Sequence, residues 1–328
     1  MSKGTAGIAL CGKICSMTLS PPGQLVDLGT HRLHLRCAGE GTPAVVFDAA
    51  LGASSLSWTL VAPAVSAVTR ACTYDRAGFG WSEAGPLPRT AARLVEELHE
   101  LLRRAAVPGP YVLVGHSYGG LVMRLLAARH PEAAAALILL EPARPEEWAH
   151  PSERQRRLIA RGVRVCGHGA VAARLGLARA VAALVNAGAL GAARAVARLV
   201  SRGGLRREDE GFLAPVGKLP PDARAVLKRM WTEPRFFEAL GSQIGCVPES
   251  AAELARAEPA HYGDLPLVVL TSAGASVERM QADAALARRS SRGRHIIVAE
   301  SGHWLPVDAP QAVSDAIVAT VRDLRARR

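Results

Sequence analysis

The stretch Val112-Leu113-Val114-Gly115-His116-Ser117-Tyr118-Gly119-Gly120-Leu121-Val122-Met123 decides the fold of this chain. Its first, Val-rich part predicts a buried β-strand, and the apolar residues after Gly120 predict a helix. Between them stands Gly-x-Ser-x-Gly, the nucleophile-elbow pattern, in the strand–turn–helix context that this motif requires. Gly115 and Gly119 leave room for a tight turn that presents the hydroxyl of Ser117. Ser117 is therefore the candidate nucleophile.

The size and composition of the chain predict a globular protein. It has 328 residues, of which 49% are hydrophobic, enough to bury a full core. We interpret the net charge of +11 as a solvated basic face, because aromatic residues, at 4%, are too sparse for the stacking platforms of a nucleic-acid site. The apolar run at residues 7–11 is too short for a membrane span. We therefore expect neither a nucleic-acid partner nor a stable membrane span.

The six cysteines lie at positions 11, 15, 37, 72, 166 and 246. Most have apolar neighbours, their spacing is irregular, and no Cys-x-x-Cys pair occurs. The first two could face one another on a helical turn, but two thiols do not make a zinc site. This pattern predicts reduced, mostly buried thiols in a cytoplasmic protein.

Strand-like and helix-like segments alternate along the chain. Strands are predicted at residues 25–27, 31–37, 44–48, 71–74, 111–116, 137–140, 267–270 and 295–298. Helices are predicted at 58–68, from Thr90 onward, after the elbow, and at 310–328. This alternation predicts an α/β fold, with a mostly parallel sheet and helices on both faces.

Residues 146–260 break that alternation. They are dominated by Ala/Arg/Leu helices, and no strand-like run appears before Leu267. We expect an all-helical insertion over the carboxyl-terminal edge of the sheet, where ligands bind in open α/β sheets. The predicted organisation is a loosely ordered leader (1–20), a core (21–145 and 261–328) and the insertion (146–260).

A serine nucleophile needs a base to accept its proton. Of the ten histidines, most fall within predicted strands or helices, and His116 is expected to point away from the nucleophile. His303 differs, because Ser301-Gly302-His303-Trp304 forms a loop directly after the last predicted strand. A loop at that edge can bring its imidazole over Ser117, so His303 is the candidate base.

Together these motifs resemble the α/β-hydrolase fold superfamily. The matching segments are the elbow, the run Tyr74-Asp75-Arg76-Ala77-Gly78-Phe79-Gly80-Trp81-Ser82, and Ser301-Gly302-His303, with the serine before the histidine. The resemblance implies an eight-stranded, mostly parallel sheet with residues 146–260 as a helical cap, and a Ser–His pair without a defined substrate. We interpret Arg76 as tying the glycine-rich loop to neighbouring strands.

The acid of the site departs from the common pattern of that superfamily. Many relatives carry an aspartate after the strand at 267–270, but here no aspartate occurs before Asp283. Some relatives place the acid one strand earlier, where this chain has Glu141. A carboxylate there can bond the far nitrogen of His303 and fix its tautomer. Glu141 is the predicted acid, Glu278 is the alternative, and a mere ion pair of Glu141 with a cap arginine is a third possibility.

An oxyanion hole needs two backbone N–H groups aimed at the developing charge. Tyr118, which follows the nucleophile, is predicted to supply one. Relatives often show His-Gly-x after the strand at 44–48, and Ala49-Ala50-Leu51 stands in that place, so Leu51 is predicted to supply the other. No P-loop, Rossmann fingerprint or metal-binding histidine cluster is present, so neither a cofactor nor a metal is expected.

The sequence thus predicts a serine hydrolase that cleaves an ester, thioester, lactone or small amide through an acyl-enzyme. Ser117 attacks, His303 moves the proton and Glu141 orients the histidine. Haloalkane dehalogenation is disfavoured because it uses a carboxylate nucleophile. The alternative is a non-catalytic protein of the same fold that binds a small ligand. Substrate identity, oligomeric state and the role of residues 1–20 are left open.

Overall fold

The computed structural model describes residues 20–186 and 215–327, so almost all of the predicted leader lies outside the described residues. One eight-stranded sheet organises the chain, with strand order β1-β2-β4-β3-β5-β6-β7-β8. Its strands are β1 (Gln24–Asp27), β2 (Arg32–Ala38), β3 (Val45–Asp48), β4 (Ala71–Tyr74), β5 (Tyr111–His116), β6 (Ala134–Leu140), β7 (Leu267–Ser272) and β8 (Gly293–Val298).

The pairing of the strands confirms the predicted mostly parallel sheet. β2 pairs antiparallel with both β1 and β4, whereas β4, β3, β5, β6, β7 and β8 pair in parallel in that order. Parallel neighbours end at the same edge of a sheet. The loops that follow β3 to β8 therefore meet at one carboxyl-terminal edge.

Helices connect the strands and cover both faces of the sheet. In the described residues they are α1 (Ala62–Ser66), α2 (Ala91–Arg104), α3 (Tyr118–Arg129), α4 (Pro145–Trp148), α5 (Glu153–Arg174), α6 (Leu177–Asn186), α7 (Pro221–Met230), α8 (Pro234–Gly245), α9 (Val247–Ala257), α10 (Val277–Ala287), α11 (Leu305–Asp308) and α12 (Pro310–Ala326).

The central strand β5 is buried on both faces. Leu113 contributes to the apolar layer that contains α2 and α3, whereas Val112 and Val114 contribute to the layer that contains α12. Side chains alternate between the two faces of a strand, so a strand covered on both sides needs a continuous apolar run. This is why the run before the elbow is apolar at every position from Tyr111 to Val114.

The predicted helix over residues 58–68 is wrong in its extent. The structure has a 3₁₀ turn at Ser55–Trp58 and a short α-helix only at Ala62–Ser66. Pro63 lies in the first turn of α1, where its missing N–H is tolerated. The same proline would break a hydrogen bond inside a longer helix that began at Trp58.

The prediction of reduced thiols is wrong for two of the cysteines. Cys37 on β2 and Cys72 on β4 are directly opposite in the antiparallel register, and they form a disulfide. Their sequence separation of 35 residues gave no sign of this pairing, which depends on how the strands align. Cys166 and Cys246 are free thiols.

The described chain between β6 and β7 is helical, as predicted for the insertion. Leu227 and Phe236, on α7 and α8, pack with Phe79 in the loop after β4 and with Val307 of α11, both at the carboxyl-terminal edge. By contrast, α9 packs on the α2 and α3 layer of the core. Within residues 20–186 and 215–327, no helix combines the length with the hydropathy of a membrane span.

Candidate active site

The serine stands on a sharp turn between β5 and α3. Ser117 has φ 53° and ψ −116°, a conformation that residues other than glycine rarely adopt. A Cβ on Gly115 would lie 2.5 Å from the carbonyl oxygen of Gly119, and one on Gly119 would lie 2.4 Å from the carbonyl oxygen of Asp48. The two glycines of the motif are therefore required by close backbone contacts, as the sequence predicts.

Three predicted site residues meet above this turn. His303 Nε2 lies 3.2 Å from Ser117 Oγ, and His303 Nδ1 lies 3.5 Å from Glu141 Oε2. The serine follows β5, the glutamate follows β6, and the histidine lies in the loop after β8. The hydroxyl, imidazole and carboxylate thus form one chain of side chains, in the order that nucleophilic catalysis by serine uses.

The carboxylate of Glu141 is buried and hydrogen-bonded. The residue is 6% exposed, and its Oε1 accepts a 2.7 Å hydrogen bond from the backbone N–H of Ser272. Burial by itself raises the pKa of Glu141, but the hydrogen bonds from His303 and Ser272 and the nearby charge of Arg279 bring the pKa below its ordinary value. The carboxylate is therefore held in its charged form beside the imidazole.

Neither alternative for the acid has this geometry. Glu278 is exposed in the first turn of α10, where hydrogen bonds from its own backbone N–H and from Ser276 lower its pKa. The arginine near Glu141 is Arg279 of α10, whose guanidinium lies 3.9 Å from Oε2, so it is not an arginine of the insertion. Glu141 contacts the histidine as well as this arginine, and the carboxylate opposite His303 is Glu141.

Three hydrogen bonds anchor the histidine loop. The carbonyl oxygen of His303 lies 2.7 Å from His116 Nε2, the carbonyl oxygen of Ser301 accepts from the hydroxyl of Ser272, and the N–H of Gly302 donates to Asp308 Oδ2 at 3.1 Å. These contacts come from β5, β7 and α11. The sequence predicts neither the contact with His116 nor the contact with Ser272, because each joins segments that are distant along the chain.

His116 is the site residue whose role the sequence reasoning missed. It is fully buried, and its ring centre lies 5.1 Å from that of His303. Burial, followed by the nearby His303, lowers the pKa of His116 to about 3. The ring is therefore neutral near pH 7, and its Nε2–H can donate to the carbonyl of His303.

The segments that carry the predicted oxyanion donors are neighbours. Tyr118 opens α3 directly after the nucleophile, and the loop after β3 passes so close to α3 that Asp48 and Ala49 face Gly119. Leu51 lies in that loop and is partly buried. The assignments of the Tyr118 and Leu51 N–H groups as donors stay predictions.

Among the described residues, one group of three side chains could in principle bind a metal ion. Glu96, His99 and His130 have candidate ligand atoms within 4.8 Å of one another. His130 follows the carboxyl end of α3, whereas Ser117 precedes its amino end, so the length of this helix, about 18 Å, separates the two places. Glu96 is also paired with Arg129.

The comparisons with known proteins agree with this architecture. A family model described as alpha/beta hydrolase fold matches residues 43–164. The solved structure of a provisionally assigned epoxide hydrolase from Pseudomonas aeruginosa has a TM-score of 0.66 at 18% identity, covering 92% of this chain and 96% of that one. The described chain therefore has the α/β-hydrolase fold, and residues 43–164 match the family of that description.

Curated relatives match only part of the chain. The probable transporter efuK of Hormonema carpetanum is 41% identical over 106 residues, which are 30% of this chain and 15% of that protein. The provisionally named carbamate hydrolase RutD of Klebsiella pneumoniae is 37% identical over 102 residues, 30% of this chain and 38% of that protein. The chain thus matches less than half the length of these relatives.

Proposed function

We propose that this protein is a serine hydrolase that cleaves a carboxylic acyl bond through an acyl-enzyme. The observation that carries the proposal is the contact chain from Ser117 through His303 to the buried carboxylate of Glu141, at 3.2 Å and 3.5 Å. Hydrogen bonds in such chains are often long in the absence of substrate. The position of Ser117 on a strained elbow at the carboxyl-terminal edge of the sheet adds to this support.

In the proposed reaction, Ser117 Oγ attacks the acyl carbon while His303 Nε2 takes the hydroxyl proton. The carbon–oxygen double bond opens to an oxyanion, which accepts hydrogen bonds from the N–H groups of Tyr118 and Leu51. The tetrahedral intermediate collapses, the leaving group takes the proton from His303, and the acyl-enzyme remains. Water then repeats the sequence and releases the acid. Glu141 keeps Nδ1–H of His303 oriented and offsets the imidazolium charge.

The proposed bonds are esters, thioesters, lactones and small amides. A carbamate, the substrate in the name of the Klebsiella relative, also offers a carbonyl carbon to a serine. The neighbouring structure is named as an epoxide hydrolase. Haloalkane dehalogenation is disfavoured by the nucleophile, because that chemistry begins from a carboxylate and this elbow carries Ser117.

We also propose that the helical insertion, predicted over 146–260, is a cap that closes the substrate site. Leu240 of α8 faces Gly52 in the loop after β3, and Val307 of α11 packs in the same apolar cluster as Phe236. These contacts line the approach to the edge with apolar side chains. An apolar acyl or alcohol group is the substrate portion that such a surface favours.

The cysteine pattern by itself predicts a cytoplasmic location. That prediction depends on reduced thiols, and the disulfide between Cys37 and Cys72 removes this argument. A small acyl compound remains the proposed partner.

A panel of p-nitrophenyl esters of increasing chain length tests the proposed function. We expect the wild-type protein to hydrolyse part of the panel and to react with a fluorophosphonate at Ser117, whereas Ser117→Ala loses both properties. Ser57→Ala is the matched control, because that buried hydroxyl donates to the carbonyl of Ser54 within a local turn. If the wild-type protein neither turns over an ester nor binds the fluorophosphonate covalently, the non-catalytic ligand-binding alternative replaces the proposal.

A further inference from the structure

Arg76 lies inside the protein between the two segments that carry the proposed oxyanion donors. Its side chain is 3% exposed. One terminal nitrogen donates to Asp48 Oδ2 at 2.7 Å and to the carbonyl oxygen of Ala49 at 2.6 Å. The other donates to the carbonyl oxygen of Ala50 at 3.4 Å. The guanidinium carbon also lies 5.2 Å from the ring centre of Tyr118.

The two carbonyl contacts, together with the 3.1 Å hydrogen bond from the N–H of Ala53 to the carbonyl of Ala50, fix how the peptide groups of this loop are turned. A trans peptide is planar, and its C=O and N–H point in opposite directions. The carbonyl of Ala50 belongs to the same peptide group as the N–H of Leu51. Because Arg76 attracts that oxygen, the N–H of Leu51 is directed away from the guanidinium. The carbonyl of Ala49 fixes the N–H of Ala50 in the same way.

The positive charge of Arg76 is compensated by the neighbouring carboxylate of Asp48. Asp48 is 1% exposed, and its second oxygen accepts a 3.0 Å hydrogen bond from the hydroxyl of Tyr74. Burial by itself lowers the pKa of Arg76, but the charge and hydrogen bond of Asp48, together with Tyr74 and Tyr118, outweigh burial and raise the pKa above its ordinary value. The guanidinium therefore stays charged, and its fixed fork of N–H donors holds several acceptors at once.

We propose that Arg76 is the positioning residue of the oxyanion hole: its contacts with the carbonyls of Ala49 and Ala50 turn the N–H of Leu51 toward the reacting carbonyl. This inference rests on the proposed function and adds a residue that does not touch the substrate. Its effect belongs to the step in which charge develops on oxygen. Loss of the positioning lowers kcat and leaves KM nearly unchanged, because the ground-state carbonyl carries little charge.

Arg76→Lys is the informative variant, because lysine keeps the charge but lacks the planar fork that reaches three acceptors. We expect kcat for a p-nitrophenyl ester to fall about ten- to a hundredfold, the range of a displaced catalytic group. Arg89→Lys is the matched control. Arg89 is also buried, pairs with both carboxylate oxygens of Glu97 at 2.6 Å and 2.5 Å, and contacts the carbonyl of Pro86 at 3.3 Å.

A thionoester provides a readout that a general loss of stability does not move. Sulfur accepts hydrogen bonds weakly, so replacing the carbonyl oxygen by sulfur already removes much of the oxyanion-hole contribution. The ratio of ester to thionoester rates should therefore fall in Arg76→Lys and stay at the wild-type value in Arg89→Lys. An equal ratio in all three proteins, or an equal loss of kcat in both variants, overturns the inference.

Hydrogen exchange of the backbone separates this inference from the proposed function. In Arg76→Lys we expect faster amide exchange in the peptide that covers residues 49–54, with wild-type exchange there in Arg89→Lys. If no ester is hydrolysed and Ser117 is not labelled, the proposed function fails. Unchanged exchange in the peptide that covers residues 49–54 overturns the positioning by Arg76, whatever the result of those two assays. If Arg76→Lys does not fold, the double variant Asp48→Asn/Arg76→Gln, which removes both buried charges together, carries the same expectations.

Discussion

Two residues at the candidate active site hold a backbone conformation that favours glycine. Ser117 has φ 53° and Glu141 has φ 45°, and the register of β5 and β6 pairs His116 with Leu140, directly before them. The N–H of Ser117 donates to the carbonyl of Leu140 at 2.9 Å, which ties the two turns together. Such conformations persist only where surrounding contacts enforce them, and they concentrate at functional sites. The backbone thus presents the hydroxyl and the carboxylate side by side.

The role of the carboxylate is tested by Glu141→Gln. Glutamine keeps the shape of the side chain but offers no charge to the imidazolium and can stabilise the wrong tautomer of His303. We expect kcat to fall on the order of a thousandfold or more, as for a triad carboxylate changed to an amide. Steady-state kinetics on a p-nitrophenyl ester measure this effect.

Glu278→Gln is the control for that experiment, since Glu278 is an exposed glutamate on α10. It should retain wild-type kinetics. A loss of activity in Glu278→Gln alone would show that the acid had been assigned to the wrong residue.

His116 should make the protein sensitive to acid. Its pKa is lowered to about 3 in the folded protein, whereas an unfolded histidine titrates near 6.5. Between these values the unfolded chain binds one more proton than the folded chain, so the free energy of unfolding falls as the pH falls. His116→Gln retains an N–H donor but does not titrate. Between pH 7 and pH 5 we expect its free energy of unfolding to fall by about 2 kcal/mol less than that of the wild-type protein.

Urea denaturation at the two pH values measures that difference. His261→Gln is the control, because His261 is exposed. This variant should keep the wild-type dependence on pH. Identical dependence in His116→Gln would mean that His116 is not the buried neutral group that the structure describes.

At the scale of elements, the disulfide joins the antiparallel part of the sheet to the parallel part. Cys37 on β2 is bonded to Cys72 on β4, and the bond closes a segment of 35 residues that contains β3 and α1. A crosslink of this span reduces the conformational freedom of the unfolded chain. The bond therefore stabilises the pairing of β2 with β4.

Removal of this crosslink in Cys37→Ala/Cys72→Ala should lower the free energy of unfolding by about 3–4 kcal/mol. Urea denaturation without reductant measures the change. Dithiothreitol should destabilise the wild-type protein but not the double variant, in which the free thiols Cys166 and Cys246 remain. Alkylation of both Cys37 and Cys72 in the unreduced protein would contradict the disulfide.

At the scale of the whole molecule, the insertion rests directly on a core loop. Gly78 lies in the loop after β4 with φ +89°, and a Cβ there would lie 2.4 Å from the Cβ of Ala239 on α8. Arg235 of the same helix donates to the carbonyls of Gly80 and Ser82. Because Gly78 has no side chain, the helix and the loop can approach closely at this point.

Gly78→Ala should therefore push α8 away from the core. Gly263→Ala is a matched control, because Gly263 also has a positive φ of +63° but has no atom within 4 Å of an added Cβ. Both variants bear the backbone strain of alanine at positive φ. We expect the free energy of unfolding to fall by about 1–3 kcal/mol more in Gly78→Ala than in Gly263→Ala. Urea denaturation measures both, and equal losses would show that α8 does not press on this loop.

The amino-acid sequence by itself determined the central strands, the elbow and the glycines within it. Local chemistry sets these features: apolar runs specify buried strands, and glycine is needed where backbones touch. The order of Ser117 and His303, and the position of Glu141 at a strand end, also follow from the sequence once parallel strands are predicted. Their catalytic roles stay predictions.

Tertiary structure alone decided the contacts between distant segments. His116 holds the loop of His303 across 187 residues, and Cys37 meets Cys72 only because of the β2–β4 register. Arg76 reaches the carbonyls of Ala49 and Ala50 only because β4 lies beside β3. No local pattern encodes these pairings, because they depend on strand order and on the space left between packed side chains.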